Sequence, residues 1–178
     1  MTYLPGFGYT FGMTKLEKFK NNFMLWLYAW YKIPLIGFCM PRIEESSGNR
    51  FVIKIPLGYK TRNHLNAMYF GALAIGSELC IATLAMQKVT EHAAQGGDRI
   101  DFLFKDYKVE FLKRAEGDVL FICEDAQIVV DQIEEAKKSE ERINRTIQAY
   151  AIVPSISATE KVATFELTLS VKRRIKKT

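Results

Sequence analysis

Residues 67–89 read AMYFGALAIGSELCIATLAMQKV. The run is long and shows no period-two alternation, so it predicts a helix rather than a strand. Its apolar residues go nearly all the way round, which is the pattern of a helix enclosed by other elements. One carboxylate, Glu78, lies inside it, and burying an unpaired charge is costly. Glu78 follows Gly71 by seven residues. That is close to two helical turns and puts both on one face. Gly71 falls in the first turn, where backbone N–H groups have no partner within the helix. Such groups, helped by the helix dipole, can polarise a carbonyl oxygen, and glycine lets a substrate come close to them. The preceding RNHLN (62–66) is polar and loop-like.

Downstream, residues 99–115 alternate on even positions (Ile100, Phe102, Phe104) and then on odd ones (Tyr107, Val109, Phe111). The parity change near Lys105–Asp106 predicts a bulge in a long strand. EGD turns the chain into a strand over 119–127, VLFICEDAQ. The charged DQIEEAKKSEER reads as a solvated short helix or long turn. Two strands end the chain: 143–153, with Ile143, Ile147, Ala149, Ala151 and Val153 on one face, and 162–172, with Ala163, Phe165, Leu167, Leu169 and Val171 on one face and Thr164, Glu166, Thr168 and Ser170 opposite. That alternation is the mark of an antiparallel sheet with two different faces. Upstream, LIGFCMPRIEES and RFVIKIPLGY read as two strands joined by a turn at SSGN (46–49). A helix over about 14–31 precedes them. It is expected to pack on the domain by one face, with a peripheral membrane helix as the alternative. Residues 1–33 thus form a helical extension of a single domain spanning 1–178. A curved antiparallel sheet wrapped around the one very apolar helix gives an α+β architecture.

The 178 residues suit one domain with a sizeable core. A hydrophobic share of 48% and a charged share of 25% are those of an ordinary globular chain. The net charge of +5 makes anionic partners plausible without demanding them. Cys39, Cys80 and Cys123 are widely spaced with no CxxC pair, which argues against a disulfide framework or zinc site and favours a reducing, cytoplasmic setting. His64 and His92 are too few for a multi-histidine metal centre. Residues 23–40 are apolar, but Lys32 and Pro34 interrupt them, so no integral membrane segment is expected there.

The order of elements resembles the hotdog fold, whose long central helix lies in a bun of sheet. Residues 63–78 resemble the helix-entry motif of the PaaI-like hotdog thioesterases: Asn, glycine three residues on, His-Gly-Gly, and an acid seven residues after the last glycine. Asn63 holds the first place and Asn66 stands where the glycine is usual. Tyr69-Phe70-Gly71 replaces His-Gly-Gly, and Glu78 matches the acid. FLKRAEGDVLFICED and ATEKVATFELTLSVKR resemble the later strands, and over roughly residues 35–175 the chain resembles the DUF4442 branch of the hotdog superfamily.

The resemblance implies hydrolysis of an acyl-CoA or acyl-carrier thioester, with coenzyme A as part of the substrate and no separate cofactor or metal. Glu78 would be general base or nucleophile, and Gly71 would stand at the oxyanion hole. Asn63 would orient water or the glutamate, and Tyr69, Phe70, His64 and Asn66 would line the substrate. Glu78 lies about 10 Å from Gly71 by helix rise, too far to reach the same carbonyl. The resemblance resolves this with a homodimer, or a homotetramer, in which one subunit's helix N-terminus faces the other's carboxylate. The alternative is a non-catalytic acyl-ligand binding or sensing protein, motivated by Tyr69 and Phe70. A hotdog dehydratase would want a catalytic histidine, and neither His64 nor His92 stands in such a motif. The basic end VKRRIKKT (171–178) reads as a solvated tail or as a contact for coenzyme A phosphates. It lacks the aromatic interleaving of a nucleic-acid binder, so no nucleic acid is expected.

Overall fold

The computed structural model describes residues 13–174, and the elements run α1 (Lys15–Lys32), α2 (Pro34–Cys39), β1 (Arg42–Ser47), β2 (Arg50–Ile55), α3 (Phe70–Ala94), β3 (Arg99–Phe111), β4 (Val119–Cys123), α4 (Ala126–Ala136), β5 (Ile143–Ile152) and β6 (Lys161–Arg174). The strands form one six-stranded sheet in the order β1-β2-β4-β5-β6-β3, antiparallel at every pairing. The α+β expectation therefore holds, with β1 and β3 as the two edges. The β1–β2 turn falls at the expected SSGN, where Gly48 takes φ +49°. The β3–β6 register slips between Phe104 and Asp106, which is the bulge that the parity change predicts.

Helix α3 is the predicted central helix. It packs across β2, β3, β4 and β5 and buries Leu73, Gly76, Ser77, Cys80, Ile81 and Leu84. The approach is tight at Gly76, where a Cβ would stand 2.2 Å from Cε2 of the buried Phe121 on β4. Among the described residues α3 is also the one helix long and apolar enough to cross a membrane, but half of its most apolar window is buried in this fold, as befits a core helix. The three cysteines are free and buried.

Three local expectations need correction. Residues 34–39 form helix α2 rather than a strand: Pro34 occupies its first turn, where a missing N–H and fixed φ are harmless. The strand expected over 119–127 ends at Cys123, and of the two forms expected for the charged stretch after it the helix holds, as the amphipathic α4, with one face buried rather than solvated all round. Its buried Gln132 donates from Nε2 to the carbonyls of Ile143 (2.9 Å) and Leu169 (2.8 Å), which ties α4 to β5 and β6. Thr168 and Ser170, expected on the open face of β6, are buried: Thr146 lies 2.9 Å from the Thr168 hydroxyl, and Arg142 donates to Ser170 at 2.9 Å.

Helix α1 begins with a reciprocal capping box. Thr14 Oγ1 accepts from Glu17 N at 3.2 Å, and Glu17 Oε2 accepts from Thr14 N at 2.9 Å. It packs by one face, as expected, but that face is Lys18, Asn22, Leu25 and Ala29 rather than the aromatic one. The reason is polar. Asn22 Oδ1 accepts from Ile43 N at 2.7 Å and its Nδ2 donates to Ile43 O at 3.0 Å, so one side chain satisfies the edge of β1. Lys18 pairs with Glu44 beside it.

Candidate functional site

Between α3 and the first half of β3 lies a cleft of about 930 Å³, walled on one side by Tyr28 of α1 and Ile33. On α3 its floor is the stripe Ala74, Ile75, Glu78, Met86 and Val89, spaced as one helical face. Glu78 is half-buried there and makes neither a hydrogen bond nor an ion pair among the described residues. Burial raises its pKa above the ordinary 4.5.

The cleft is also lined by Tyr107, which no motif pointed to. It follows the β3 bulge. Ser77 Oγ donates to the Ala74 carbonyl at 2.8 Å and lies 3.3 Å from Tyr107 Oη. Burial holds the Tyr107 phenol above its ordinary pKa, only partly offset by Ser77, so it remains a neutral donor. The available signal was the parity change, because bulges re-aim side chains beside sites. At the far end of the cleft stand Arg99, Arg142 and Arg174. Arg99 and Arg174 share Asp101, at 2.7 Å and 2.9 Å. Residues 175–178 of the basic end lie outside the described residues.

The other predicted residues gather at the N-terminal end of α3, one turn and more above the cleft. Tyr69 is the N-cap, and the N–H groups of Ala72 and Leu73 both bond its carbonyl. The N–H groups of Phe70 and Gly71 have no acceptor among the described residues, so both remain open to a ligand. Tyr69 and Phe70 are exposed, against the packing role that aromatics usually take, and their rings tilt together 4.7 Å apart. The Tyr69 ring also leans on Gly71, with Cε1 2.7 Å from where a Cβ would stand. Asn63 Oδ1 accepts from Leu65 N (2.8 Å) and Ala67 N (3.2 Å), so only its amide N–H groups are left to orient anything. Asn66 takes φ +58°, a conformation that glycine adopts freely and asparagine tolerates, which explains why it can stand in the glycine's place. His64 is exposed on this loop. His92, in the last turn of α3, packs its ring against Gly97 instead. Within one protomer, then, Glu78 and Tyr107 line one cleft, while Asn63, His64, Asn66, Tyr69, Phe70 and Gly71 lie together at the N-terminal end of α3. Among the described residues no group of three or more His, Cys, Asp or Glu side chains could hold a metal ion.

The unpaired Glu78 gives a pH test. Its folded pKa lies above its unfolded one, so its contribution to stability is complete below the unfolded value of 4.5 and is lost as pH rises through the raised folded value. Glu78→Gln is therefore expected to be more stable than wild type at neutral pH, with the gap closing in acid. Urea midpoints of both proteins across a pH series check this, and a gap independent of pH would refute it.

The fold is the hotdog fold, a long central helix against an antiparallel sheet. A family model for DUF4442, a domain of unknown function, matches residues 24–171, and the chain belongs to that family. No curated protein matches it. Among solved structures, a Pseudomonas aeruginosa protein of unknown function described as a probable thioesterase superposes with a TM-score of 0.66 at 19% identity, over 85% of this chain and 96% of that one. A protein of unknown function from Chlorobaculum tepidum superposes with a TM-score of 0.71 at 12% identity, over 88% and 97%. A Haemophilus influenzae thioesterase superposes with a TM-score of 0.56 at 10% identity, over 93% and 94%. These likenesses establish the fold.

Proposed function

We propose that this protein is a thioesterase that hydrolyses acyl-CoA or acyl-carrier thioesters, with Glu78 as general base on water or as nucleophile. The observation that carries the reading is Glu78 itself: an unpaired carboxylate of raised pKa on the floor of a mostly apolar cleft. An acyl chain suits that lining, and the Arg99, Arg142 and Arg174 end suits the phosphates of coenzyme A. Tyr107 is placed to hold the acyl carbonyl or the water by a neutral hydroxyl.

The free N–H groups of Phe70 and Gly71 would form the oxyanion hole. Because they sit about two turns from Glu78 on the same helix, the reading needs a homodimer that brings one subunit's helix N-terminus to the other's cleft. The edge strand β3 supports such an assembly, since it leaves Leu103, Tyr107 and Phe111 exposed beside an unpaired backbone edge. Free thiol release from an acyl-CoA panel of short, medium and long chains tests the reading. Turnover of at least one class is expected, and no turnover on any would overturn it.

Gly71→Ala probes the oxyanion hole separately. The new methyl would press on the Tyr69 ring, which is 49% exposed and free to swing into solvent. Stability should change by less than about 1 kcal/mol. Turnover should fall about tenfold or more, since the methyl and the displaced ring crowd the two N–H groups; loss of one such donor costs roughly 10²–10³-fold. Unchanged turnover would remove Gly71 from the site.

The same Tyr69–Gly71 contact favours a second reading, a protein that binds acyl thioesters without cleaving them. Thermal stabilisation by acyl-CoA with no thiol release would select it. Stabilisation by no acyl ligand would count against both readings.

A further inference from the structure

Helix α1 turns its apolar side outward. Leu16, Phe19, Phe23, Trp26 and Trp30 form one stripe, and all five are exposed, from 77% at Leu16 to 39% at Trp30. Met24, Leu27 and Tyr31 widen it, and Leu35 and Phe38 of α2 continue it, with Trp30 and Phe38 rings 5.3 Å apart. Isolated exposed apolar residues are normal, but a contiguous aromatic patch of this kind marks an interaction surface.

The charges say what it meets. Segment 15–40 carries Lys15, Lys18, Lys20 and Lys32 against one acid, Glu17. Glu17 is committed to the capping box and Lys18 to Glu44. Lys15, Lys20 and Lys32 make no ion pair with any described residue, and Lys60 extends the basic rim by lying over the Phe38 ring at 5.3 Å. A second copy docked on this face would bring like charges together. An anionic surface would neutralise them, while Trp, Tyr and Phe enter the headgroup boundary and lysines snorkel beside them.

We propose that the α1–α2 face docks on an anionic lipid bilayer. Docking would hold the exposed Ile33, which walls the α3–β3 cleft, near the membrane surface, with Tyr28 of the same wall on the side of α1 turned towards the cleft. The inference rests on the face alone and stands whether or not Glu78 is catalytic.

The two tryptophans of the chain, Trp26 and Trp30, both lie in this face, so intrinsic fluorescence reports on it directly. Full-length protein is titrated with vesicles of phosphatidylcholine alone and of equimolar phosphatidylcholine and phosphatidylglycerol, with parallel flotation. With the anionic vesicles, emission should move to shorter wavelength and the protein should float. Each of Lys15→Gln and Lys20→Gln should lower partition roughly fivefold. The double variant Phe19→Ser/Phe23→Ser should abolish binding while leaving thermal unfolding and the tryptophans in place. Three outcomes overturn the proposal. Emission and flotation could ignore both vesicles. Emission could already be blue-shifted in proportion to protein concentration and to dimer content by sedimentation, which gives the face to a second copy. Or emission could be blue-shifted in dilute monomer and insensitive to lipid, which gives it to residues 1–12.

Discussion

Glu78→Gln is expected to lower turnover of the preferred acyl thioester by about 10²–10⁴-fold, the usual contribution of a positioned general base. The substitution keeps the shape of the side chain and removes only its ability to take a proton. Glu78 holds no lysine, arginine or backbone donor among the described residues, so the change orphans none of those groups. The fold should therefore survive, and at neutral pH it should gain stability, because the ionised form is disfavoured in the cleft. KM should move little, since the apolar walls and the arginine end of the cleft are untouched. The pH profile adds a second reading. Wild-type turnover should rise with pH through the raised pKa of Glu78, and the variant's residual turnover should lack that limb. Equal turnover in variant and wild type would end the assignment, whatever the fold resembles.

The long helix was legible because its sequence is apolar nearly all the way round, a pattern of helices enclosed by other elements or by lipid. The β3 bulge was legible for a similar reason: a shift in parity at Lys105 has few other causes. Helix α2 was not, since a short apolar run such as LIGFC fits strand and helix equally, and Pro34 was the one signal that could have decided. The buried face of α1 was hidden for a deeper reason. Hydrophobicity points to Phe19, Phe23 and Trp26, yet an edge strand needs polar partners, and Asn22 supplies them to Ile43. Pattern reading assumes that the apolar face turns inward, and here the requirement of β1 set the orientation. Glu78 was found from spacing along one helix. Tyr107 was not, because its relevance depends on which strand ends up facing α3, a long-range outcome of the β3–β6 pairing.

The contact that sets the depth of α3, and with it the height of Glu78, is Gly76 on Phe121. Phe121→Ala is expected to cost about 3–5 kcal/mol, because the ring is fully buried and packs 6.2 Å from that of Phe165. For a chain of this size that lowers Tm by roughly 6–20 °C. Gly76→Ala alone should also destabilise. Its methyl would meet the Phe121 ring at 2.2 Å, and the ring has no open side to move into. Overpacking of that kind costs about 1–3 kcal/mol, against about 1 kcal/mol gained from the better helix former. In the Phe121→Ala background the obstacle is gone, so the same Gly76→Ala change should turn stabilising by up to about 1 kcal/mol. The sign reversal is the decisive reading, and a double-mutant cycle on urea midpoints measures it as a coupling of about 1–3 kcal/mol. A Gly76→Ala effect that is the same in both backgrounds would mean that α3 does not rest on Phe121. The position of Glu78 over the sheet would then have to be fixed by the other α3–sheet contacts, those with β2, β3 and β5.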